Sequence, residues 1–213
     1  MDADVEKIQR SRLKMLGVLA VCAAPLLASY FTYYVIKPQG GATNAGTLID
    51  PRLYPIPAMA STTLDGQPQT LEQFKGKWIM LKVGPSDCQQ DCQDQLFAMR
   101  QLRTMQGKEM ERIERVWLIT DNQPLDTVML RVNDGTRMLR APAATVAGWL
   151  PLEGSAGQAN GQAVDQAADH VYLIDPLGNL MMRFPKGAVS SDLVQVKRVH
   201  KDIAKLLKAS AIG

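Results

Sequence analysis

Cys88 and Cys92 are the residues of this chain whose type and spacing most directly imply chemistry. They lie in VGPSDCQQDCQDQLFAM, from Val83 to Met99, and the chain's third cysteine, Cys22, sits in an apolar N-terminal segment. Two thiols at (i, i+4) near a helix start can close a disulfide or share one soft metal ion. Free cysteine also behaves as a small hydrophobe, so two unrelated buried residues are the plain alternative. The pair follows an apolar run, WIMLKV, and precedes a helical pattern that continues to about Met105. At about 100° per residue, Cys88, Cys92, Leu96, Met99 and Leu102 share one stripe. The thiols therefore sit at the N-terminal end of the face turned into the protein, with Ser86 or Asp87 available as N-cap.

Other chemistries find less material. The chain has two histidines, His170 and His200, which leaves no Ser-His-Asp set to argue. Gly76-Lys77-Trp78 lacks the glycine-rich lead and the Ser/Thr of a phosphate loop. Among the eleven methionines, Met80, Met99, Met181 and Met182 fall on apolar faces and read as core filling. The net charge is only +3, and no basic cluster is interleaved with aromatics, so nucleic-acid binding has no support. With 46% hydrophobic and 21% charged residues, the 213-residue chain has the composition of a folded protein with accessories.

The elements that must position the cysteines begin with a tether. Residues 1–14 are polar and carry Lys7, Arg10, Arg12 and Lys14, whereas 15–36 carry no charge. Such a helix spans roughly 33 Å, enough for a bilayer core of about 30 Å. Tyr30, Phe31, Tyr33 and Tyr34 gather at its far end, where aromatic rings favour the interface. Four basic residues precede the span and only Lys37 closely follows it. The positive-inside rule then predicts a cytoplasmic N-terminus and a domain on the outer, periplasmic-type side of a bacterial inner membrane. Cys22 is expected to be a membrane-helix residue without chemistry. Residues 37–58, rich in Gly and Pro, read as a linker, and the outer compartment permits disulfides.

The folded domain is expected over 59–213. Trp78 to Val83 and Val116 to Thr120 read as buried strands. A helix is expected over Pro124 to about Asn133, with Asp121 or Asn122 near its start. Residues 136–152 receive no element, and 153–168 read as a surface loop. Val171 to Asp175 and Leu180 to Phe184 form a hairpin around Pro176-Leu177-Gly178-Asn179. Ser190 to Ala209 closes the chain as an amphipathic helix with an outward row of lysines. Strand, helix, strand, helix, hairpin, helix describes an α/β, thioredoxin-like fold: a central mixed sheet flanked by helices, here preceded by one transmembrane helix.

LDGQPQTLEQFKGKWIMLKVGPSDCQQDC resembles the opening of Sco/SenC proteins, which are membrane-anchored, thioredoxin-like copper-binding proteins of cytochrome c oxidase assembly. The resemblance continues through VWLITD and DHVYLIDPLGNLMMRF. The C-x-x-x-C spacing is its informative part, since ordinary thioredoxins use C-x-x-C. Gln89 and Gln93 stand where the family usually has proline, and Asp87, Asp91 and Asp94 surround the thiols. The resemblance implies a redox-active Cys88/Cys92 pair and a copper site, Cu(I) or Cu(II), made by Cys88, Cys92 and His170. It also implies partners: a terminal oxidase subunit or another copper carrier, a thiol reductant, and the membrane.

Three functions follow as expectations. The first is a membrane-anchored copper metallochaperone, or assembly factor, for cytochrome c oxidase. The second is a thiol–disulfide oxidoreductase, although Asp169 and His170 occupy the place where such enzymes usually carry a proline facing the thiols. The third is a non-catalytic adaptor of the same fold with a degenerate metal site.

Overall fold

The apolar run and the mixed pattern behind it fold as separate compact units, Met1–Thr43 and Asn44–Gly213. The structure, a computed structural model, describes residues 2–36, 44–151, 161–190 and 192–210. In the first unit, α1 (Asp2–Phe31) continues as a π-helical turn, Thr32–Ile36. Its stretch Lys14–Val35, 22 residues with a mean hydropathy of 1.8, is long and apolar enough to cross a membrane. Helical backbone extends back to Asp2, through the segment read as a polar tail. Near the other end the rings of Tyr30 and Tyr34 lie 4.4 Å apart and those of Tyr33 and Tyr34 4.9 Å apart.

The second unit is a seven-stranded mixed sheet. Its strands are β1 (Thr47–Leu48), β2 (Thr62–Thr63), β3 (Trp78–Gly84), β4 (Ile113–Ile119), β5 (Arg137–Arg140), β6 (His170–Ile174) and β7 (Leu180–Pro185). They lie in the order β1-β7-β6-β3-β4-β5-β2. β3 pairs parallel with β4, and β4 with β5, while β6 and β7 run antiparallel. β3 is buried along its whole length, as a central strand covered on both faces must be.

Successive side chains on a strand point to opposite faces, and the core divides accordingly. Trp78, Met80, Ile113, Trp117, Ile119, Val171 and Leu173 line one face. That face is covered by α2 (Gln90–Met105) through Leu96, Met99 and Leu102, and by α6 (Leu193–Ala209) through Val196, Val199, Ile203 and Leu207. Ile79, Leu81, Val83, Val116, Leu118, Tyr172 and Ile174 line the other face. There they meet Val146 and Trp149 of α4 (Ala143–Trp149), Ala167 of α5 (Gly161–Ala168) and Leu71 of a 3-10 turn. The result is an α/β/α sandwich with the sheet as its middle layer.

Several elements depart from the expectations above. β1 lies inside the stretch read as linker, because Thr47 and Leu48 pair with Arg183 and Met182 of β7. Residues 37–43 of that linker lie outside the described residues. β5 and α4 lie within the unassigned span 136–152, of which 152 is outside the described residues, and α5 occupies part of the expected surface loop, of which 153–160 lie outside the described residues. The helix expected from Pro124 is the short α3 (Thr127–Val132), whose N-cap Asp126 accepts a bond from Val128 N at 2.8 Å. Pro124 sits ahead of it in non-helical backbone.

Candidate functional site

The cysteines occupy the carboxyl end of β3 and the start of α2. Cys88 and Cys92 form a disulfide, with Cα atoms 5.2 Å apart. Helix α2 begins at Gln90, later than the stripe implied, so Cys88 lies in the turn and Cys92 in the first helical turn. The N-cap position falls to Gln89, whose side chain makes no capping bond, rather than to Ser86 or Asp87. Cys88 is buried and Cys92 half-buried, so the pair straddles the protein surface. Their side chains pack into the cluster on the α2/α6 face of the sheet.

The turn ahead of the disulfide is held from the neighbouring strand. Asp121, just past β4, accepts from Ser86 N at 2.9 Å and from Gln123 N at 3.1 Å. Partial burial alone would raise its pKa, but these bonds and nearby Arg140 hold the carboxyl below its ordinary value. Gln93 and Gln89, where the resemblance led one to expect prolines, serve as local clamps. Gln93 Nε2 donates to Cys88 O at 2.9 Å, and Gln89 Nε2 donates to Asp87 Oδ1 at 2.7 Å. The three acidic neighbours are each engaged: Asp87 by Gln89, Asp94 by Gln90 at 2.9 Å, and Asp91 by Lys186 at 3.3 Å.

His170 is not brought to the cysteines. It alternates with Val171 and Leu173, which line the cysteine face, and shares parity with Tyr172 and Ile174 on the opposite one. Its ring lies 6.0 Å from that of Tyr172, and Nδ1 is 3.0 Å from Gln166 O of α5. The expected three-residue ligand set is therefore not assembled. The reason is strand geometry: a residue one step out of register points to the other side of the sheet. Among the described residues no group of three His, Cys, Asp or Glu side chains is arranged to hold a metal ion. A three-ligand copper centre thus does not fit the donors as they stand. His200 serves structure, its Nε2 lying 3.1 Å from Met105 O at the end of α2.

The structure adds charged residues that the sequence did not single out. Lys82, on β3, is 1% exposed, and its Nζ donates to Ala168 O. Lys186, at the end of β7, bonds Asp169 at 3.0 Å and Asp91 at 3.3 Å. Those two side-chain bonds raise the pKa of Lys186. The readable signal for Lys82 was a lysine inside an apolar central strand, WIMLKV, six positions before the first cysteine.

Comparison with known proteins agrees with the fold. A Sco1/SenC family lipoprotein from Bacillus anthracis str. Ames superposes with a TM-score of 0.52 at 16% identity, covering 76% of this chain and 98% of its own. BsSco, described as a member of the Sco family of cytochrome c oxidase assembly proteins with a disulfide switch, gives 0.52 at 18% identity, covering 75% and 95%. Yeast Sco1 with copper bound gives 0.51 at 17% identity, covering 76% and 97%. No curated protein matches the chain. Residues 78–210 match the family described as the transmembrane-like, thioredoxin-like, C-terminal domain. This chain, a Sco-like thioredoxin fold behind an apolar N-terminal helix, belongs to that family.

Proposed function

We propose that this protein is a membrane-tethered thiol–disulfide factor in the assembly of a cytochrome c oxidase, with Cys88 and Cys92 as the exchanging pair. The observation that carries the reading is the Cys88–Cys92 disulfide at a helix start, half open to solvent. A thiol at such a position has its thiolate favoured by the first-turn N–H groups, and the thiolate is the reacting species in exchange. The oxidase context comes from the fold's likeness to proteins named as oxidase assembly factors. The apolar helix would hold the domain on the outer side of the membrane, where disulfides persist. Its partners would be a cysteine pair on an oxidase subunit and a thiol reductant that resets the site.

A second reading is favoured by the same pair. Once reduced, two thiolates suit Cu(I) as cargo without a third ligand, and a copper-bound Sco1 shares the fold. Both readings are tested on the full chain in detergent. Equilibration in glutathione buffers followed by thiol alkylation should show Cys88 and Cys92 passing between disulfide and dithiol. Cys88→Ser or Cys92→Ser should trap a mixed disulfide with the partner. A pair that neither exchanges nor, after chemical reduction, binds Cu(I) better than the double Cys→Ser chain would sink both readings and leave a non-catalytic adaptor.

A further inference from the structure

Lys82 is the one fully buried lysine among the described residues, and the exchange chemistry above does not account for it. Charged side chains are almost never fully buried unless paired, yet its one bond among the described contacts is to a neutral acceptor, Ala168 O. Its parity on β3 is that of Trp78 and Met80, so it projects from the sheet face on which the cysteines pack. It sits nearer the cysteine end of the strand than either of them. Gly84, the next residue of that parity, lies against the lysine head: a Cβ there would stand in ordinary contact, 3.9 Å from Lys82 Nζ and 3.6 Å from Ala168 Cβ.

The charged groups facing Lys82 are Asp169, Lys186 and Asp91. Asp91 directly precedes Cys92, and both aspartates are bound to Lys186, so neither is dedicated to Lys82. Burial foremost depresses the lysine to about 8, which still leaves it mainly charged at neutral pH. The sheet face on which the cysteines pack therefore holds a desolvated cation without a dedicated counter-ion.

We propose that Lys82 is the fixed cation that stabilises the reduced, thiolate-bearing form of the Cys88/Cys92 pair, so that the pair draws electrons from a dithiol partner. The proposal rests on the exchange reading and gives it a substrate class and a direction. A thiolate of the partner attacks one sulfur of the disulfide; the S–S bond breaks, a mixed disulfide forms, and the other sulfur leaves as a thiolate. The partner's second thiolate then displaces the remaining sulfur. The partner departs as a disulfide, two electrons have passed to Cys88 and Cys92, and the partner's two protons go to those sulfurs or to solvent. Negative charge develops on a leaving sulfur in each step, where a cation already held in a low-dielectric site acts without reorganising. The neutral disulfide gains nothing comparable, so Lys82 acts selectively on the reduced state.

The test is the reduction potential of the pair in the full chain, in detergent, against glutathione at pH 7, for wild type, Lys82→Met and Lys82→Gln. Glutamine removes the charge but keeps an N–H donor for Ala168 O. Thermal melts of the oxidised proteins confirm that each variant folds, and Lys82→Gln decides alone where Lys82→Met does not. The expected result is an equilibrium constant shifted tenfold or more toward the disulfide in both variants, a potential about 30 mV more negative. An unchanged potential in both overturns the proposal. So does a shift in Lys82→Met alone, which would assign the effect to the hydrogen bond rather than the charge. A wild-type pair that stays oxidised in every buffer defeats the exchange reading itself, and this proposal with it.

Discussion

A lysine on a central strand has a thermodynamic signature apart from any role in exchange. Burial lowers Lys82 from 10.5 to about 8, whereas the unfolded chain keeps the ordinary value. Between those values the unfolded state binds more protons, so the stability contributed by this group rises with pH. Below about pH 8 the full cost applies, about 3 kcal/mol for a shift of that size. Lys82→Met should therefore melt above wild type at pH 7 in the oxidised form, and the gap should narrow toward pH 10. Parallel melting curves at both pH values would show that the lysine is not buried as described. His170 gives the complementary test. Its ring faces α5 rather than the sulfurs, so His170→Ala should leave the potential of the pair, and any Cu(I) affinity of the reduced chain, unchanged. A tenfold loss of Cu(I) affinity would place the ring at the sulfurs. The residue types were legible from the sequence; their facing was not. The two cysteines needed only their spacing, whereas His170 depended on the register of a strand, where one residue decides the face.

Between elements, the clamp from β4 to the cysteine turn does the positioning. Asp121 accepts the Ser86 amide, and Ser86 itself is buried. Removing a charged acceptor from a buried amide costs about 1–3 kcal/mol. Asp121→Ala should lower stability by that order at pH 7 and quicken reduction of the disulfide by a small thiol, as the turn loosens. Because the carboxyl is held below its ordinary value, its contribution is present above about pH 4 and disappears as pH falls through the depressed value. The melts of wild type and variant should then converge in acid. The strongly apolar strands β3, β4, β6 and β7 and the periodic helices α2 and α6 could all be read in advance, because burial imposes their patterns. What escaped were short pieces whose existence depends on neighbours. β5 exists by pairing with β4 and β2, and α5 lies in a Gly-, Ala- and Gln-rich stretch that resembles a loop until Ala167 packs against the sheet.

At the scale of the whole domain, the thioredoxin-like order of elements was legible, while the margins of the sheet were not. β1 is held by a distant residue: Asp202 of α6, almost fully buried, accepts from Ala45 N at 2.6 Å and from Gly46 N at 3.4 Å. Gly46 is pressed so closely on the Phe184 ring that an added Cβ would meet it at 2.6 Å. Asp202→Ala should free this segment, seen as faster hydrogen exchange at Ala45 and Gly46 and a loss of about 1–3 kcal/mol. Protection unchanged from wild type would show that β1 is held by its pairing alone.

Those two outermost strands carry a further consequence. Each is two residues long, one at either margin of the sheet. A margin so short presents little backbone to another chain, which guards against edge-to-edge aggregation and leaves scant template for a visiting segment to join as an extra strand. On the exchange reading, a protein client would then be recognised at the tip of the sheet, by side chains and loops around the sulfurs. Its selectivity should accordingly respond to substitutions in the turn before α2 and at the end of β7, and hardly at all to changes along β1 or β2.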